Sequence, residues 1–498
     1  MSPPMDPVTT QGPKQLPTEL WIAIRDLLDP DELRRSMSVH RVFYDHAMDL
    51  RYRELELSDQ RPSHLFKVIK NLEFPDAANR VRTLTISLLA VQTAIHNVPN
   101  LQEKSHSLLR EFIKLLRRIT SRRRLQTNSQ ARDREIKERY RTVKKAGYGL
   151  TGVENMSLHW HGPDQFDEPL FLAIQPVFSS RLRAVFLDIP LMTFSKACAH
   201  LTDLTNLAEL ELDLNIDPTR GVSKEDLKKA ITDDVVPFIN RLGPSLQVLS
   251  MAIRNHLESA PFFDVLGIFP KLNRLMLNIP FDHHHLENPS GFNHLLVNHP
   301  NLKELYITHR SCCMSHQTPL EGDGEKWVQQ CFQDVAFTDL KTLSLGLTHA
   351  FHLRFMKAMT PLARSLSSLI LTEPILHYAD VENVLTFLTT PQLSSLTLYV
   401  DTLTPQLLVL LAEQRPDLEY LDLKIKQSRK AEGAQGPHDE SGFIRGLEND
   451  YLFPPRIFNA WKLRRMSIRM WVYTLGYREQ PELMKAIIAK VPSLRSSI

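Results

Sequence analysis

Four cysteines in 498 residues are too few for a disulfide framework, and two of them, Cys312 and Cys313, are neighbours in the chain. Covalent staples therefore do not hold the fold, and this usage fits a reducing compartment. Glycine is scarce too, at 17 residues, and neither GxGxxG nor GxxxxGK[ST] occurs, so the phosphate-cradling loops of nucleotide-dependent enzymes are missing. The longest apolar run, Leu407 to Ala412, has six residues, against roughly 18 or more for a membrane-spanning helix. Pro3, Pro4, Pro7 and Pro13 fill the first twenty residues, which lack the apolar stretch of a secretory signal. These absences predict an intracellular chain, cytoplasmic and/or nuclear, without membrane association. GxSxG, HExxH and supported paired carboxylates are also lacking, so the expectation is a non-catalytic protein with no cofactor.

Leucine, by contrast, makes up about 15% of the chain, and its spacing carries the fold. The pattern apolar-x-x-apolar-x-apolar occurs at Val81-Leu84-Ile86, Val153-Met156-Leu158, Leu182-Val185-Leu187, Leu207-Leu210-Leu212, Leu246-Leu249-Met251 and Leu272-Leu275-Leu277. It continues through Leu302-Leu305-Ile307, Leu340-Leu343-Leu345, Leu366-Leu369-Leu371, Leu393-Leu396-Leu398, Leu418-Leu421-Leu423 and Leu463-Met466-Ile468. Most of these twelve copies start 25 to 30 residues apart, near the period of a leucine-rich repeat. The last two apolar residues of each copy alternate as in a short strand with one face in a core. Helix-compatible segments precede several copies, as at Phe262 to Phe269 before Pro270, Phe292 to Val297 before Pro300 and Leu407 to Leu411 before Pro416. Such units cannot bury their apolar faces alone and must stack. The expected fold is α/β: a curved solenoid with a concave parallel sheet, roughly 50 to 55 Å along its arc, and helices on the convex side.

Ahead of the repeats lies a different pattern. Residues 1–14 are Pro-rich and expected to be disordered; residues 15–57 place Leu20, Ile24, Leu27 and Leu28 at helical spacing before Asp29-Pro30-Asp31-Glu32. Asp29 is suited to be an N-cap, with Pro30 at the first helical position and Glu32 closing a capping box. Some forty residues cannot bury a self-sufficient core, so this module has spare apolar surface for a partner.

This segment resembles the F-box. The resemblance rests on Leu16-Pro17, Glu19, Leu20, Ile24, Leu27, Leu28, Asp31, Leu33, Ser36, Val39, Arg41 and Phe43. It departs at its end, where His40-Arg41-Val42-Phe43-Tyr44 stands in place of the family's basic residue and Trp. With the repeats that follow over 58–498, the order is that of the F-box/leucine-rich-repeat proteins. The resemblance implies a substrate receptor of a cullin-RING (SCF-type) ubiquitin ligase. The three-helix module would dock on a Skp-type adaptor, and through it a cullin, by Leu16, Pro17, Leu20, Ile24, Leu27, Leu28, Leu33 and Val39. For each of these the alternative is packing inside the module.

The solenoid would then hold a substrate protein. Between the last two apolar residues of each copy one position faces out, and there stand Phe186, Glu211, Met276, Tyr306 and Ile370. Together with Glu209, Tyr399 and Tyr420 these are the expected substrate-binding residues, because aromatics and Met on a receptive sheet anchor partners. Glu209, Glu211 and Asp213 make one acidic strand, and Arg465 and Arg469 lie near the far end.

The net charge of +3 is unevenly spread. Lys104 to Lys145 carries fifteen Lys/Arg against four Asp/Glu, or +11, leaving 3 − 11 = −8 for the rest. The basic insertion at 101–147 is expected to be helical from Leu108 to Ile119, with a polar, solvated second half. A second insertion, 426–447, is a polar loop. The region of His283-His284-His285, His294, His299, His309, Cys312, Cys313 and His316 lacks paired metal-ligand spacing, so no metal is expected. A plain leucine-rich-repeat scaffold without a ligase link is the alternative function. Nucleic-acid binding through the insertion has only its charge in support, with no aromatic interleaving.

Overall fold

A computed structural model describes residues 16–58, 61–96, 130–160, 167–215, 222–253, 260–280, 286–309, 323–346, 365–388, 392–426, 455–472, 476–479 and 481–495. Arg122-Arg123-Arg124, the Leu108 to Ile119 stripe, the second insertion beyond Lys426, His283-His284-His285, Cys312, Cys313 and His316 lie outside the described residues. The chain forms two compact units, residues 1–182 and 183–498.

The first unit opens with three helices, α1 (Thr18–Leu27), α2 (Pro30–Arg35) and α3 (Arg41–Tyr52). Strands β1 (Glu54–Leu57), β2 (Thr83–Ser87) and β3 (Asn155–His159) pair in parallel in that order. Between β1 and β2 lie α4 (Pro62–Asn71) and α5 (Pro75–Ala78), and α6 (Leu88–His96) follows β2. Strand β1 belongs to the sheet, although its residues fall inside the stretch read as the helical module. Tyr52-Leu55-Leu57 in fact repeats the apolar spacing of the twelve copies, with Tyr in first place, and all three are buried.

The second half of the basic insertion is helical, mostly exposed, with a buried edge toward its C-terminus. Residues 130–149 form a helix, α7, whose C-terminal half buries Val143 and Ala146. Arg139 donates to the Ala94 carbonyl at 2.6 Å and lies over the Phe66 ring at 4.7 Å. Tyr140 Oη donates to Asp167 Oδ2 at 2.9 Å, where Gln92 Nε2 also donates at 3.2 Å, while Asp167 Oδ1 caps the following helix at Leu170 N. A largely charged helix is thus fixed by its polar groups, with long side chains laying their apolar stems on the surface below.

The second unit carries strands β4 (Ala184–Pro190), β5 (Glu209–Asn215), β6 (Val248–Ile253), β7 (Arg274–Ile279), β8 (Glu304–His309) and β9 (Thr342–Gly346). Next come β10 (Ser368–Leu376), β11 (Ser395–Val400), β12 (Tyr420–Lys426) and β13 (Arg465–Val472). These pair in parallel, each with its sequence neighbour. The twelve apolar triplets correspond to β2 through β13, and every member except the half-buried Met466 is buried. The architecture is therefore the leucine-rich-repeat α/β solenoid type, each repeat passing from strand to a covering helical or irregular segment.

The C-terminal end departs from an all-parallel sheet. Strand β14 (Gly476–Glu479) runs antiparallel to β13, pairing Arg469 with Glu479 and Val472 with Gly476. So short a connection permits a reversal, whereas a parallel return needs a crossover of about a dozen residues or more. The segment after Val491 makes a short helix, Pro492–Arg495. Leu483, Ile487, Val491 and Leu494 are buried, so the last helices close the end of the core. None of the described helices is long and apolar enough to cross a membrane.

Candidate protein-binding surfaces

The helical module has a small core of its own. Leu33, Phe43 and Ala47 are buried, with Trp21, Ile24, Leu28 and Met37 packed around them. Trp21 stacks on His40 with ring centroids 4.7 Å apart and meets Phe43 edge-on at 5.5 Å. Phe43 thus fills the centre where the resemblance departs from its pattern. The capping box forms as expected: Asp29 Oδ1 accepts from Glu32 N at 2.7 Å and from Asp31 N at 2.9 Å, and Glu32 Oε2 accepts from Asp29 N at 3.3 Å. Arg80 ties α3 to the repeats behind it, donating to Asp49 Oδ1 at 2.7 Å and Asp45 Oδ1 at 2.5 Å.

This packing divides the eight module residues. Ile24 and Leu28 are half-buried against the core, and Leu33 is inside it. Leu16, Pro17, Leu20, Leu27 and Val39 face water, Leu27 being 85% exposed and Val39 62%. Helix α1 has no buried residue. Ile22, Tyr44 and Leu50 add further exposed apolar surface that residue spacing alone did not single out.

On the sheet of the second unit, the register aligns the outward positions into rows. One row runs Phe186, Glu211, Ser250, Met276, Tyr306, Ser344, Ile370, Thr397, Asp422, Ser467 from β4 to β13. Phe186, Met276, Tyr306, Ile370 and Tyr399 are half-buried, and Glu209, Glu211 and Tyr420 are exposed. Ser344, Thr397 and Asp422 hold outward positions in this row and are nonetheless buried. Neighbouring strands lie about 4.8 Å apart, so a short side chain flanked by Tyr306 and Ile370, as Ser344 is, lies below its neighbours.

The polar groups of this face are organised strand by strand. Arg274 Nε donates to Glu304 Oε2 at 2.6 Å, and Tyr306 Oη donates to the same oxygen at 2.9 Å. The Arg274 hydrogen bond holds the Glu304 carboxyl below the usual carboxylate range, with Tyr306 adding to it against a partial burial cost. At the far end Arg469 binds the buried Asp422 through both Nε, at 3.2 Å, and Nη2. Arg464 pairs with Glu419 at 3.6 Å, and Lys462 with Asp417 at 2.7 Å. On β5, enclosure of the carboxylate and then the neighbouring Asp213 raise the pKa of Glu211, though its side chain as a whole is exposed.

His299 is structural. Burial lowers its pKa; neutral, it accepts from Phe269 N at Nε2, 2.8 Å, and Nδ1 contacts the Leu295 carbonyl at 2.5 Å. Cys198 and Cys331 are buried free thiols pushed up in pKa by burial. Among the described residues no group of three or more His, Cys, Asp or Glu is placed to hold a metal.

No protein-family model matches the chain, and no curated protein matches it by sequence. Among solved structures, it is similar to the leucine-rich-repeat-containing protein LegL7 from Legionella pneumophila. The identity is 12% and the TM-score 0.39, covering 69% of this chain and 98% of that one. It is also similar to a chain of the Rad7 and Elc1 complex in yeast. There the identity is 14% and the TM-score 0.36, covering 86% of this chain and 99% of that one. At these TM-scores the assignment of the fold rests on the strand ladder itself.

Proposed function

We propose that this chain is the substrate-recognition subunit of a cullin-RING ubiquitin ligase of the SCF type. The module of α1 to α3 docks on a Skp-type adaptor, and through it on a cullin, while the repeat sheet holds a substrate protein. The observation that supports this most is the exposure of α1. A helix serving only as an end cap would turn its leucines onto the first repeat, yet Leu16, Leu20 and Leu27 face water together with Val39. Exposed apolar surface of this kind marks a partner site. Ile24, Leu28 and Leu33 act from inside, holding the module in shape. In this role the chain contributes proximity and orientation, and the chemistry occurs on its partners.

A leucine-rich-repeat scaffold without a ligase link is the second reading. It draws on the inward packing of Ile24, Leu28 and Leu33, which a plain N-terminal cap would share. The two separate by co-purification of the full chain with a Skp-type adaptor, comparing the parent with a Leu20→Asp, Leu27→Asp double variant. The ligase reading expects the parent to carry the adaptor and the variant to lose it while keeping the parental circular dichroism spectrum. A parent that does not bind overturns it in favour of the scaffold.

A further inference from the structure

The outward face of β4 to β8 is asymmetric in charge and in height. Strand β5 presents Glu209 and Glu211, neither with a hydrogen bond or ion pair among the described residues, and Asp213 beside them. Two strands along, Arg274 is engaged by Glu304 at 2.6 Å, and Glu304 also takes the Tyr306 hydroxyl. The direct partner of Arg274 is thus Glu304, and Glu209 reaches it only as a weaker, longer-range attraction. At the opposite end of the sheet Arg469 is bound to Asp422, and Lys424 and Arg465 add positive charge there. The negative charge of the face is therefore concentrated on β5, away from the basic far end.

Height gives the second half of the argument. Strand β6 offers only Val248, Ser250 and Ala252 outward, between the carboxylates of β5 and Arg274 and Met276 of β7. In the same row Ser344 and Thr397 are buried, to 5% and 8% exposure, whereas Ser467 on β13 is half-exposed. The short residues of β6 remain half-exposed. A trough thus runs along β6, with Glu209 and Glu211 on one wall and the half-buried Met276 on the other. Phe186 lies one strand beyond Glu211, and Tyr306 one beyond Met276.

We propose that this trough takes an extended basic segment of a partner protein, its Lys or Arg side chains meeting Glu209 and Glu211 and an adjacent apolar side chain packing on Phe186 or Met276. The proposal rests on the reading of the sheet as the substrate face and names the chemistry of the substrate. A cationic group would also stabilise the Glu211 carboxylate against the burial and the neighbouring Asp213 that disfavour its charge. Nucleic acid is disfavoured on this face, since its phosphates would meet carboxylates.

The test is selection of binders from a random ten-residue peptide library on the full chain, read against two variants. One is Glu209→Gln, Glu211→Gln, which removes charge without volume; the other is Ser250→Phe, which fills the trough. Peptides rich in Lys or Arg next to an aromatic or aliphatic residue are expected. Their affinity should fall roughly tenfold in the double Gln variant and be lost in Ser250→Phe, with unchanged thermal melting of the Gln variant as the folding control. Binders that are neutral or acidic, binders indifferent to both variants, or no binders at all would each overturn it. Adaptor co-purification with the Gln variant should be unaffected, so failure of the ligase reading and failure of this one are read separately.

Discussion

Arg274 and Glu304 face each other across β7 and β8 with Nε and Oε2 2.6 Å apart. The carboxyl of Glu304 is held below its ordinary 4.5 by the Arg274 hydrogen bond first and Tyr306 after it. Its contribution to stability is therefore complete above about pH 4.5 and disappears as pH falls through the lowered folded value. Arg274 is substantially exposed, so solvent screening limits the contribution to at most about 1 kcal/mol. Thermal melts of the parent and Glu304→Gln should differ at pH 7 and converge well below pH 4.5. An equal gap at both pH values would place the effect in packing rather than charge.

Surface and core leucines of the module should part company on substitution. Leu20→Asp with Leu27→Asp alters exposed positions and is expected to shift stability by no more than about 0.5 kcal/mol per site. Leu33→Ala opens a cavity beneath Trp21 and Phe43 and should cost about 2 to 5 kcal/mol of the module's stability. Hydrogen exchange over 18–52 reads this directly: protection lost in the first variant would mean that α1 is held by its leucines after all.

His299 should make the protein acid-sensitive. Its folded pKa lies below the ordinary 6.5 because burial disfavours the imidazolium. The unfolded chain then binds the proton more readily, so stability is full above about pH 6.5 and declines as pH drops toward the folded value. His299→Phe removes the acceptor for Phe269 N, costing about 1 to 3 kcal/mol at pH 7.5. The same substitution should flatten the slope of melting temperature between pH 7.5 and 5. A slope identical to the parent's would assign the acid sensitivity elsewhere.

Tyr140 is the hydroxyl anchor of α7 on Asp167, and Tyr140→Phe is expected to cost about 1 kcal/mol. Its clearest signature is faster amide exchange confined to 130–149. Unchanged exchange there would show that Arg139 and the buried Val143 and Ala146 suffice.

The sequence by itself determined the ladder. A strand's apolar period is local, so twelve triplets marked β2 through β13 before any contact was known, and Asp29-Pro30-Asp31-Glu32 marked its helix start through hydrogen bonds spanning only three residues. The same spacing was written at Tyr52-Leu55-Leu57, but a helical context masked it. Tertiary structure decided the rest because each remaining question depends on neighbours far along the chain. Whether Leu20 or Leu33 faces water depends on where Phe43 lies. Ser344 is buried and Ser250 is not, although both hold the same place in the apolar pattern. The tail turns back as β14 instead of adding a parallel repeat because its connection is too short for a crossover. A charged insertion helix is ordered because Asp167, Ala94 and Phe66 offer its Tyr and Arg somewhere to bind, and nothing in its own composition records that.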